Sequence, residues 1–506
     1  MALRTEAAAA TIVRSIPASA ILSVVSGLLA IDLRSLALFR VCLGTLLVAD
    51  LLQRSSDLAA HYTDAGVLPR VAHEAAFGPV ATWSIHLLAG TPFAQALLFL
   101  LAGIAALALA AGLFTRTATL ASWLLLVSLH HRQPLVLTGG DAILALLLFW
   151  SLFLPLGARW SLDARLSPAV GPIPALVRSA ATAALLLQVL LVYLFAALFK
   201  LLDPSWQQLT AVEESFGVEG VATDLARRLV AWPALLRAAS LITPTFELVV
   251  PWLAFVPWKT AQVRTGVVFA FWGFHLLGIG SMMDLGLIEV VMATAWAVFL
   301  PTWFWEVALP SALARLRAPA RWSAALRHGP RSTVPGTYAA SAPRGTLGYR
   351  IRETSVWLLL AVVVADNLAS LDRRAYRRWV PQPVRGAIEA LGLFQNWRLW
   401  STPIDNRYYV FAARLHDGSD VDLHTGEPLD WSAPRRRSRN NHWWKYQLNL
   451  SFRHAGGLRR FYAAWLAREW NQRHAPERRV EELRLVQLSG PWTADPAQMR
   501  RTVLWP

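Results

Sequence analysis

Apolar runs long enough to be membrane helices recur along this chain between residues 33 and 370, separated by short polar stretches. A spanning helix needs roughly 20 such residues. Nine spans are predicted, at approximately 33–52, 93–113, 117–130, 141–157, 179–200, 245–258, 265–281, 286–305 and 353–370. Residues 13–31, rich in Ser and Ala, are expected to lie along the membrane surface, and the amphipathic segment 222–240 to be interfacial or re-entrant. Met1–Ala10 is not followed by the short apolar core and small-residue cleavage site of a signal peptide, so the first span is expected to be retained.

Beyond residue 371 the pattern changes and no run could span. Tyr408 to Leu415 is rich in strand formers and ends at Asp417-Gly418, which predicts a strand and a turn. Val421–Leu423 followed by Thr425-Gly426 predicts the next pair. Arg459 to Arg473 places Phe461, Ala464, Trp465 and Trp470 at helical spacing, and Leu483–Leu488 reads as a last strand. The fold expected is an all-α polytopic membrane helical bundle of about nine spans with a small C-terminal α+β domain. Its divisions are an interfacial segment (1–32), a transmembrane domain (33–310), a basic loop (311–352), a last transmembrane helix (353–370) and the α+β domain (371–506).

Charge supplies the orientation. The loop 311–352 carries Arg315, Arg317, Arg321, Arg327, Arg331, Arg344, Arg350 and Arg352 with no acidic residue before the last span, which marks it as cytoplasmic. Working outward, the N-terminus with Arg4 and Arg14 also falls inside, and the α+β domain is extracytoplasmic. The expected location is the inner (plasma) membrane, with the lipid bilayer as partner. A net charge of +16 raises the question of nucleic acid, but the basic residues form no aromatic-interleaved patch, so none is expected. The run Arg435–Arg437 with Arg439 reads as a solvated or lipid-facing loop. Cys42 is the one cysteine and lies inside the first span, which excludes a disulfide framework and a Cys-based metal site. The preference for Arg over Lys, with much Ala and Leu, points to a GC-rich bacterial genome.

The candidate chemistry begins with that preference. Of 48 basic residues only Lys200, Lys259 and Lys445 are lysines. Arginine keeps its proton in a protein, whereas a desolvated lysine can become a free-amine base. Lys200 ends the apolar run from Leu185, so it is a candidate for catalysis or else a snorkelling cation at the interface. Other polar residues gather near the same predicted membrane face: His61 and Asp64 in the first outer loop, Arg132 before Thr138-Gly-Gly-Asp141, and His275 in the outer half of the seventh span. Each has a local reading too. Asp141 could be a helix cap, His61 and Asp64 loop polar groups, and His275 a packing histidine. Arg40 and Asp50 are about 15 Å apart along one helix and are expected to pair with other helices. The 24 tryptophans fit interfacial belts. No spacing of His, Asp or Glu makes a zinc site, His130-His131 is a weak signal, and no metal is predicted.

At these residues the chain resembles the horizontally transferred transmembrane domain shared with vitamin K-dependent γ-carboxylases. The resemblance rests on Leu38 to Gly44 with Ala49 to Arg54, His61 to Pro69, Gly139-Gly-Asp141, Leu154 to Asp163, Val192-Tyr193 to Lys200 with Trp206, and Phe274-His275. Phe394 to Pro403, Asp417-Gly418 and Asp422 to Gly426 look like the outer module of many bacterial members. The resemblance implies that Lys200 deprotonates a reduced quinone of the vitamin K kind. Oxygen addition then gives a strong base that takes a proton from a glutamyl side chain, so that CO2 adds. Lys200 and His275 are the catalytic residues implied, and Asp141, Arg132, His61, Asp64 and Trp206 the substrate-binding ones. An Asn-Asn-His segment of the animal enzymes has no clear counterpart here; Arg132-Gln-Pro134 stands in its place, and no propeptide-binding module is evident. Two functions follow as expectations: a quinol-dependent, carboxylase-like lyase acting on an exported protein or a lipid-soluble substrate, or a non-catalytic scaffold or maturation factor that binds an exported partner.

Overall fold

The computed structural model describes residues 27–78, 83–167, 174–218, 220–316, 338–339, 346–372, 378–398, 406–431, 438, 440–491 and 496–506. The expected surface segment 13–31 and the basic loop fall largely outside these residues, as do Arg435–Arg437 and Arg439. Six described helices are long and apolar enough to cross a membrane: α1 (Leu33–Ser55), α2 (Pro92–Ala111), α5 (Ala180–Leu201), α6 (Pro233–Leu253), α7 (Thr260–Met282) and α9 (Leu347–Ser370). The other three predicted spans are helices as well. Two of them, α4 (Gly139–Ser151) and α8 (Ile288–Ala297), are apolar but short, and α3 (Thr115–Arg132) is less hydrophobic overall. The sixth helix starts at Pro233, well before the expected residue 245, and contains Pro244 and Pro251. The segment expected to be interfacial is therefore in part the first turns of this helix.

Local chemistry sets the helix ends. Thr91 caps α2, with Pro92 in its first turn, and Thr138 and Ser179 form capping boxes at the starts of α4 and α5. Gly44 lets α1 and α2 touch: a Cβ there would sit 2.6 Å from the Ala110 backbone nitrogen. One large core then joins α1, α3, α4, α5 and α8 through Phe39, Trp150, Phe195 and Trp296.

Two buried arginines inside this core are matched to partners. Arg54 donates to both Asp50 carboxylate oxygens (2.9 and 2.8 Å), to Tyr62 Oη (2.9 Å) and to Asp141. Asp50 thus pairs within its own helix rather than with another. Arg40 donates to the carbonyl oxygens of Leu156, Arg159 and Trp160 (3.0, 3.1 and 2.6 Å), closing the loop after α4 onto α1.

The C-terminal sheet forms where strand formers predict it. Strands β1 (Asn406–Leu415), β2 (Asp420–Asp422), β3 (Glu427–Pro428), β4 (Val480–Gly490) and β5 (Arg500–Trp505) pair antiparallel in the order β3-β2-β1-β4-β5. Gly418 takes φ +79 at the β1–β2 turn, a conformation glycine adopts freely. Helix α11 (Arg459–Arg473) forms where helical spacing predicts it and packs on the sheet through Tyr462 and Ala463. Helix α10 (Asn441–Ser451), which periodicity did not reveal, is capped by Asn440 and joins the module to the bundle. Its Trp443 and Tyr446 pack in one core with Val67, Leu68, Leu135 and Val136 of the α1–α2 and α3–α4 connections. Residues 378–398 belong to the bundle rather than to this module. Trp397 is buried in the helical core, Gln395 meets Gln188 of α5 at 2.9 Å, and Trp83 Nε1 donates to the Ala390 carbonyl. The module's own core begins at β1.

The joint between module and bundle carries a pH dependence. His61 lies 4.2 Å from Trp443 between ring centres, and neither ring nitrogen has a hydrogen-bond partner. Burial holds His61 at about 3 and neighbouring His442 at about 4. An unfolded histidine takes its proton near pH 6.5, so between that value and the folded one the unfolded chain binds more protons. Stability is full above pH 6.5 and falls as pH drops towards 4. Thermal melts in detergent across pH 7 to 4 should show a declining midpoint, and His61→Phe should flatten the decline. A wild-type midpoint independent of pH is the contrary result. In the bundle, Arg54→Leu leaves two buried carboxylates unpaired and should cost roughly 3–5 kcal/mol, read as a lowered midpoint at pH 7.

Candidate active site

A cavity of about 700 Å³ lies where the C-terminal module meets the bundle. Its walls come from α4, α5, α6, α7 and α8 on one side and from β1 and α10 on the other. Ile143, Val192, Ala196, Ile279, Ile288 and Met292 give it a mainly apolar lining, the ordinary character of a small-molecule site.

Lys200 and His275 both face this cavity. Lys200 is one residue from the end of α5 and is 4% exposed. Its ammonium donates to both oxygens of Glu247 on α6, at 3.0 and 2.7 Å, and lies 5.5 Å from the Trp206 ring centre. The snorkelling alternative does not describe this side chain, which is buried and ion-paired. Glu247 is the one acidic residue of an apolar helix. That isolation is the signal by which sequence could have found it.

His275 lies in a π-helical stretch, Gly273–Ile279, inside α7. Such wider turns recur at functional sites because they re-aim a side chain. Here His275 Nε2 meets Tyr193 Oη at 2.7 Å, and Tyr193 accepts a hydrogen bond from Trp296 Nε1 at 2.8 Å. Tyr193 is two turns below Lys200 on α5, so one helix sets both the amine and the group that holds the imidazole. Glu289 on α8 also lines the cavity, with its Oε1 buried and unpartnered.

Arg407 and Lys445 of the module, with Arg398 at the end of the segment 378–398, line the opposite wall. Arg398 follows the buried Trp397, donates to the Ser370 carbonyl at 3.1 Å and lies 4.5 Å from the Phe199 ring centre. Burial pulls the Lys445 ammonium below the ordinary lysine value. Two of the chain's three lysines therefore face one cavity from separate parts of the fold. Only the rarity of lysine could have flagged Lys445 beforehand.

The remaining predicted residues lie elsewhere. Asp141 accepts from the Thr138 backbone and hydroxyl (2.6 and 2.7 Å) and pairs with Arg54, so it is both a cap and a bundle tie. It borders a second, polar cavity of about 360 Å³ with Asp50, Asp284, Asn440, Asn441 and His442. The two cavities share Thr138, Leu285 and Asn441. Arg132 is buried and donates to the Thr63 carbonyl at 3.3 Å. Asp64 pairs with Arg70 at 2.7 Å near the surface, and these bonds hold its carboxyl low against the upward push of desolvation. Arg132, Asp64 and His61 line neither cavity. Trp206 touches Lys200 from behind rather than facing the cavity. Among the described residues no group of His, Cys, Asp and Glu is placed to hold a metal ion.

No protein-family model, curated protein or solved structure matches the chain.

The Lys200–Glu247 pair makes a stability prediction. Glu247→Gln leaves a buried ammonium without its carboxylate and should lower stability by roughly 3–5 kcal/mol, whereas the double change Lys200→Met, Glu247→Leu should recover most of that loss. Melts of the two variants in detergent compare them directly; equal losses in both would show that the pair is not coupled.

Proposed function

We propose that the protein is a nine-pass plasma-membrane enzyme whose cavity deprotonates a lipid-soluble hydroxyl compound such as a quinol, in a carboxylase-like reaction. The carrying observation is that Lys200 and His275 face one mainly apolar cavity, closed over by the C-terminal module, rather than lipid. The module packs on the connections containing Val67 and Val136, which the arginine distribution puts outside, and this supports an extracytoplasmic module.

The lining suits an isoprenoid quinol: Ile143, Val192, Ala196 and Met292 would hold its apolar part, and the Lys200–Glu247 end its hydroxyl. When bound, a reduced quinone with O2 supplies the oxidative driving force for removing an unreactive proton, and CO2 the group added. What the chain itself does is handle protons. Shifting one proton from Lys200 to Glu247 converts the ion pair into a free amine and a carboxylic acid with no change in net charge. That keeps the buried pair neutral overall and gives Lys200 a lone pair for the substrate proton. Tyr193 fixes the His275 ring, which positions the imidazole against the substrate hydroxyl.

The test uses the full-length protein in proteoliposomes with a reduced naphthoquinone, O2, labelled bicarbonate and a glutamate-containing peptide. Wild type should consume quinol, and Lys200→Arg, which keeps the charge but cannot supply a free amine, should lose at least about 100-fold. His275→Asn should lose less, because it removes a positioning group. Equal turnover in wild type and Lys200→Arg would end the base role, and no quinol consumption by wild type would favour the non-catalytic scaffold.

A further inference from the structure

The cavity wall built by the module has a charge imbalance that the proposed proton chemistry does not use. Four cationic side chains, Lys200, Arg398, Arg407 and Lys445, line the cavity against two carboxylates, Glu247 and Glu289. Lys200 and Glu247 neutralise each other at 2.7 Å. Arg398 is satisfied in part by the Ser370 carbonyl. Lys445 and Arg407 are left over. Among the described residues neither side chain has a hydrogen-bond or ion-pair partner. The Arg407 guanidinium lies only beside the Phe452 ring, 6.0 Å from its centre.

A cation placed against a mainly apolar space without a bonded carboxylate is costly, and a protein that keeps two there stands to regain that cost from an anion. The rest of the lining says what carries the anion. The rest of the lining is mainly apolar, with Val192, Ala196, Ile279, Ile288, Met292 and Leu448 beside the polar Thr138, Tyr409 and Asn441. An inorganic ion would satisfy the cations but leave the apolar volume without a use. A neutral lipid would fill the volume but leave the cations alone.

We infer that this cavity binds an amphipathic anion, its carboxylate or phosphate head held by Lys445 and Arg407 and its apolar tail running between α4, α5, α7 and α8. This goes beyond the proposed function by adding an anionic ligand to the same cavity and rests on that reading only for the cavity, since binding requires no turnover. The desolvated state of Lys445 accords with it, because an arriving anion would restore the charge that burial disfavours. The module then supplies the head-group side of a site whose tail side the bundle supplies.

The experiment takes the full-length protein in an uncharged detergent and measures binding of oleate, an oleoyl phosphate monoester, oleyl alcohol and inorganic phosphate by titration calorimetry. One of the two anionic amphiphiles should bind saturably, the preferred head identifying carboxylate or phosphate, and oleyl alcohol and inorganic phosphate should bind at least tenfold more weakly. Lys445→Met and Arg407→Met should each weaken the anion by about tenfold, equal to 1.4 kcal/mol, while Lys445→Arg retains it. A second readout needs no variant. Lysine acetylation followed by mass spectrometry has only three lysines to read, and the amphiphile should protect Lys445 while leaving exposed Lys259 unchanged. Oleyl alcohol binding as tightly as the anions, or full acetylation of Lys445 at saturating anion, would overturn the inference. Loss of turnover in Lys200→Arg with binding intact separates the proton chemistry from the binding site.

Discussion

Arg54 holds the structure to its arrangement. A guanidinium buried among apolar helices has no water to bond, so every one of its donors must find an oxygen within the protein. Arg54 finds them in Asp50 of its own helix, Tyr62 of the following connection and Asp141 at the start of α4. That one side chain therefore fixes the end of α1, the loop carrying His61 and the beginning of the fourth helix relative to one another. The module rests on that loop through Trp443 and Tyr446, and the cavity opens between them.

The same requirement is met at several other buried polar groups. Lys200 has Glu247, His275 has Tyr193, Gln188 has Gln395, and Arg40 has four carbonyl oxygens. Lys445 and Arg407 are the exceptions that matter, and both face the cavity. Where a membrane protein leaves a charge without an internal partner, a ligand is the natural place to look for one. The π-helical turn at Gly273–Ile279 belongs to this account: it departs from the regular helix at the histidine that lines the cavity.

Much of the fold was legible along the chain. The apolar runs marked helices α1 to α9, and strand formers with Asp417-Gly418 marked β1 and its turn. Helix α10 was not legible, because its apolar residues face two directions, onto the module and onto the bundle. The start of α6 was missed because its first turns, Pro233 to Ile242, are too mixed to read as a span. Of the candidate site, Lys200 and His275 stood out as ionisable residues at the ends or interiors of apolar runs. Glu247 carried the same signal and was passed over. Arg407 and Lys445 carried almost none, since a basic residue in a polar module is ordinary until its surroundings are known.

By itself the sequence determined that this is a helical membrane protein with a separate sheet-bearing module, because hydrophobic periodicity and length are local properties that burial enforces residue by residue. It also singled out lysine as a residue used sparingly. Only the tertiary structure decided which polar residues meet. Asp141 went to Arg54, Lys200 to Glu247, and Lys445 to the far wall of the cavity that Lys200 lines. The physical reason is that a charge's role depends on its partner and its dielectric surroundings, and both are set by segments up to hundreds of residues away in the chain.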